Sequence, residues 1–93
     1  MKQNIKILHL EDVESDAELI DYELRKAKIE FEKRVVDTRE EYEQMLDDFD
    51  PEIILSDHSL PSFNSYKALE ILKAKGLDIP FILLTATLRP EDR

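Results

Sequence analysis

The apolar positions of the chain switch between two periods. Ile5, Ile7, Leu8 and Leu10 form a short apolar run of buried-strand length, which Glu11 and Asp12 end. Ala17, Ile20, Leu24 and Ala27 then recur at spacings of three and four, one face of a helix, with Ser15 and Glu18 as a capping box at its start. Ile29, Phe31, Val35 and Val36 suggest a second strand, interrupted by Lys33. Thr38 and Glu41 form a second capping box. Tyr42, Met45, Leu46 and Phe49 make the next helical stripe, which Pro51 stops. Ile53, Ile54 and Leu55 are too short and β-branched a run to prefer helix, and this third strand ends at Ser56 and Asp57. The stretch from His58 to Ser65 reads as a loop containing Pro61. Ala68, Leu69 and Leu72 mark a third helix, with Lys73 and Lys75 near its C-terminal dipole and Gly76 as its cap. Pro80 to Leu84 is a fourth apolar strand, ending at Thr85, and Pro90, Glu91 and Asp92 resemble a helix start.

The order is β-α-β-α-β-α-β. Strands separated by single helices predict an α/β fold with a parallel sheet and right-handed crossovers. At 93 residues the chain is read as one domain over 1–93, because two halves could not each bury a core. No linker, repeat or low-complexity segment divides it.

Charge narrows the class. The chain carries 22 acids and 13 bases, a net charge of −9, which argues against a nucleic-acid surface. Residues 37–52 alone hold eight acids and one base, Arg39, and read as a solvated helix face. No apolar run approaches the ~20 residues needed to span a bilayer. The first residues lack the apolar core of a signal peptide, so a cytoplasmic location with no membrane contact is expected. Cysteine is absent, which removes disulfides, thiol catalysis and thiolate metal sites. Gly76 is the single glycine, so no glycine-rich phosphate loop can be written. Phosphate chemistry would have to use carboxylates and a metal.

In an open parallel sheet, ligands bind beyond the carboxyl ends of the strands. Glu11 and Asp12 follow the first strand, Asp57 the third and Thr85 the fourth. If strands one and three are neighbours, three carboxylates converge, and such a cluster repels itself unless a cation sits in it. A hard divalent ion, Mg²⁺ above all, suits oxygen ligands. Asp12 would hold the metal, with Glu11 acting directly or through water. Asp57 would be the nucleophile, forming an acyl phosphate, and the Thr85 hydroxyl could donate to a phosphoryl oxygen. The bland alternative is that acids at strand ends cap helices or lie in solvated loops. His58 reads as a surface residue and His9 as a satisfied core residue. No histidine spacing suggests zinc.

Three strings carry a resemblance: Ile-Leu-His-Leu-Glu-Asp at 7–12, Ile-Ile-Leu-Ser-Asp at 53–57 with Leu60-Pro61 following, and Phe-Ile-Leu-Leu-Thr-Ala at 81–86. In order and spacing the chain resembles the receiver domain of two-component response regulators. The segments 11–20 and 55–63 are most similar to receivers at the start of sensor kinases carrying PAS modules. The resemblance implies a flavodoxin-like, three-layer α/β/α fold with strand order 2-1-3-4-5. It implies Asp57 as the phosphoacceptor, and Asp12 with Glu11 as acidic Mg²⁺ ligands alongside Asp57. Ser59 would complete the metal site through its backbone carbonyl. Thr85 would contact the phosphoryl group and move in the switch, beside the small Ala86. The implied partner is a histidine kinase or histidine phosphotransfer protein.

The chain also departs from that pattern. Glu11 stands where aspartate is common, and Asn64-Ser65 where Asp-Gly is usual. The family has a fifth strand, a lysine that pairs with the phosphoryl group and a last helix; the chain stops before all of them, so it reads as incomplete at its C-terminus or as completed by a partner chain. Weak or absent phosphorylation of the 93-residue chain is expected on that ground. An unpaired fourth-strand edge would offer a route to a homodimer or a swapped assembly. Two other function classes stay open: a binding-only pseudo-receiver, and a Mg²⁺-dependent aspartyl phosphohydrolase. Ser59 counts against the latter, which usually has a second aspartate there.

Overall fold

The computed structural model describes residues 4–57 and 65–84 of the chain. Four strands, β1 (Ile5–Leu10), β2 (Phe31–Val36), β3 (Ile53–Asp57) and β4 (Phe81–Leu84), alternate with three helices, α1 (Glu14–Lys26), α2 (Arg39–Asp48) and α3 (Ser65–Ala74). The sheet is parallel throughout, in the order β2-β1-β3-β4. This is the predicted α/β architecture, a flavodoxin-like arrangement through its fourth strand. Ser59, Thr85 and Ala86, as well as His58, lie outside the described residues.

The core forms because alternate strand residues face opposite sides of the sheet. Leu8, Leu10 and Ile54 are fully buried on one face, where Tyr42 and Leu46 of α2 and Ala68 and Leu72 of α3 pack on them. Each buried leucine or isoleucine side chain among them contributes roughly 1.5–3 kcal/mol by leaving water. The Tyr42 hydroxyl donates to the Ala68 carbonyl at 2.8 Å, tying α2 to α3 inside this layer. On the opposite face α1 covers His9 and Lys33. Ile5, Val35 and Ile82, at alternating positions on that same face, remain 40–46% exposed.

The helix ends show which local signals operate. Thr38 caps α2, its Oγ1 accepting the Glu41 amide at 3.2 Å, as the capping box predicts. The box expected at Ser15 and Glu18 does not form. Helix α1 starts one residue earlier, at Glu14, with Val13 at the N-cap position and no side-chain cap. Just ahead of the helix, Glu11 Oε2 accepts the Val13 amide at 3.2 Å. Gly76 ends α3 at φ +71°, its amide bonding the Lys73 carbonyl while Leu77 bonds Leu72. Helix α1 ends the same way, but on Lys28 at φ +64°. Helix α2 stops at Asp48, before Pro51 is reached, and the chain turns through Asp50 at φ +55°. The second strand runs without a break through Lys33.

Candidate metal centre

Strand order places the site. The sheet reverses direction of growth between β1 and β3, and such a switch point opens a crevice at the carboxyl ends of the strands. The β1–β3 register sets Leu10 opposite Ser56, so the next residues along, Glu11 and Asp57, emerge side by side. Glu11, Asp12 and Asp57 each bring a carboxylate oxygen to within 4.8 Å of the others. The three differ in setting: Glu11 is 6% exposed, Asp57 half-buried and Asp12 exposed. Glu14, Glu18 and Asp21 of α1, with Asp37 and Glu41, line a groove that continues from the cluster.

Three carboxylates this close answer their repulsion either with a proton or with a cation. Burial pushes the Glu11 carboxyl up to about 7. The Val13 amide bond opposes that rise, while a hydrogen bond and charge from Asp57, and charge from Asp16, add to it. When protonated, Glu11 donates to the Asp57 carboxylate. The donor set, oxygen only and three potential charges, fits a hard cation. The cluster can hold a metal ion.

Next to it lies a group that the sequence pattern did not mark. The Lys33 side chain, 3% exposed, lies beneath α1 with its Nζ 2.6 Å from Asp21 Oδ1. The same Nζ donates to the Ala17 carbonyl and meets His9 Nδ1, each at 2.9 Å. In the sequence Lys33 interrupts the apolar pattern of its strand, and a lone lysine on an apolar face is costly to bury. Its partners come from α1 and β1, so only the packed structure supplies the compensation. The one sequence signal was a second polar residue, His9, at the same alternation on the neighbouring strand. His9 is fully buried. Its pKa falls to about 4 because burial disfavours the charged ring and the Lys33 ammonium repels it, against smaller opposing effects of Asp21 and Asp57.

No helix among the described residues is long and apolar enough to cross a membrane. A scan against protein-family models finds no match, and a search of curated proteins finds no significant relative.

Proposed function

We propose that this protein is a receiver of two-component signalling, taking a phosphoryl group from a histidine kinase or histidine phosphotransfer protein onto Asp57. The observation that carries this reading is the meeting of Glu11, Asp12 and Asp57 at the switch point between β1 and β3. A strand-end carboxylate that is half-buried can be reached by a docked donor, whereas Glu11 is too enclosed for attack. In the proposed step an Asp57 oxygen attacks phosphorus, a P–O bond forms and the P–N bond to the donor imidazole breaks. The released imidazole nitrogen keeps the bonding pair and takes a proton from water. The cation of choice is Mg²⁺, which when bound supplies charge neutralisation between the attacking carboxylate and the phosphoryl oxygens. Glu11, Asp12 and Asp57 would hold it, and by the resemblance the Ser59 carbonyl would complete the set. On the same resemblance the Thr85 hydroxyl would donate to a phosphoryl oxygen and shift with it, transmitting the signal. The cytoplasm is the compartment this role requires.

The test is intact-mass measurement after incubating the full-length protein with Mg²⁺ and excess of a small acyl-phosphate donor. A gain of one phosphoryl group, even at partial yield, that disappears in Asp57→Asn is the expected result. No gain in the wild type sinks the reading. Cation binding that persists without any gain would leave a binding-only module.

A further inference from the structure

The buried Lys33, His9 and Asp21 group has more order than a structural ion pair needs. An ammonium carries three N–H donors and no lone pair. Lys33 Nζ donates to the Ala17 carbonyl and meets His9 Nδ1, each at 2.9 Å, and is ion-paired with Asp21 Oδ1 at 2.6 Å. His9 Nδ1 must then be the bare nitrogen of the neutral ring, and the proton sits on Nε2. That Nε2 is inside a fully buried side chain and has no hydrogen-bond partner. Its neighbour is Glu11 Oε1, at 3.8 Å. This is too long for a hydrogen bond, yet it is the distance that a small rotation of the Glu11 carboxylate would close. The other Glu11 oxygen is already held by the Val13 amide.

We infer that His9 is a positioning residue for the cation site: Lys33 sets its tautomer, and the Nε2–H donates to Glu11 Oε1 when a cation draws that carboxylate toward Asp12 and Asp57. This rests on reading the acidic cluster as a cation site. Two fixed donors, one from the β1 histidine and one from the α1 N-terminus, then hold Glu11 in one orientation. Partners that orient a metal ligand in this way commonly change metal affinity 10–100-fold.

The experiment is a calorimetric titration of the whole chain with Mg²⁺ alone, together with ¹⁵N spectra of the histidine rings. In the wild type the spectra should show the His9 proton on Nε2, with its resonance moving as Mg²⁺ is added. His9→Leu should weaken Mg²⁺ binding by about tenfold or more, while His9→Gln, which keeps an N–H near the same place, should restore most of it. Lys33→Met should let the proton redistribute between the ring nitrogens. Because the leucine variant removes a partner of Lys33, its fold is checked by circular dichroism, and the tautomer spectrum stands as a test needing no substitution. A wild-type proton on Nδ1, or wild-type affinity in a folded His9→Leu, overturns the proposal while leaving the cation site standing. Absence of Mg²⁺ binding to a wild type with the expected tautomer removes the site, and this role for His9 with it.

Discussion

At the scale of single residues, protons and cations compete for Glu11. Its carboxyl is raised to about 7, chiefly by burial, so below that value a proton must be displaced before a cation binds. Raising the pH from 6 to 8 is therefore expected to strengthen Mg²⁺ binding by up to about tenfold per pH unit on the acid side of 7, levelling off above it. Titrations at several pH values check this, and Glu11→Gln should flatten the dependence. A pH-independent affinity in the wild type would show that Glu11 does not change protonation on binding. Lys28 carries a different cost. It sits at φ +64° in the position where α3 uses Gly76, and left-handed backbone costs a residue with a Cβ about 1–2 kcal/mol. Part of that is regained because glycine loses more freedom on folding. Lys28→Gly should therefore stabilise the chain by roughly 0.5–1 kcal/mol, seen as a higher urea midpoint with an unchanged slope. A lower midpoint would mean that the lysine side chain contributes more than its backbone costs.

At the scale of elements, the layer of α2 and α3 depends on apolar packing with one polar tie. The Tyr42 hydroxyl is buried, which pushes its pKa up, and it meets the Ala68 carbonyl at 2.8 Å. Tyr42→Phe keeps the ring and removes the donor, so a loss of about 1–2 kcal/mol is expected. Leu8→Ala, which opens a cavity under the same helices, should cost about 3–5 kcal/mol. Chemical denaturation of the two variants tests the order. A larger loss for the tyrosine variant would make the tie, rather than the packing, the main support. The element boundaries also show how local signals compete. Thr38 stands at the N-cap in extended backbone, its Oγ1 accepting the Glu41 amide while Glu41 Oε1 accepts the Asp37 amide at 3.4 Å. Ser15 has the right neighbour in sequence but lies inside α1, which begins at Glu14. Pattern alone could not separate these cases, since both read as Ser or Thr followed by Glu three residues later.

At the scale of the whole molecule, the charge of −9 is not spread evenly. Acids line the groove beside the cluster, while Lys33, a deeply buried cation, sits under α1 with its partners. Uncovered apolar side chains lie on both faces of the sheet: Ile5, Val35 and Ile82 on the α1 side, and Leu83 on the side where α2 and α3 pack. The α/β class, the element order and the candidate carboxylates were legible from sequence, because alternation, helical spacing and strand-end position are local properties of the chain. The number and place of the strands followed from apolar runs such as Ile5–Leu10 and Ile53–Asp57. Other features were decided only by tertiary structure. Whether Glu11, Asp12 and Asp57 meet depends on β1 lying beside β3, a pairing between residues more than forty positions apart. Whether Lys33 breaks a strand or completes one depends on Asp21, Ala17 and His9 reaching it across two layers. Periodicity records which side of an element faces inward. It does not record which charges and donors await it there, because burial energies depend on neighbours that the chain brings together only when it folds.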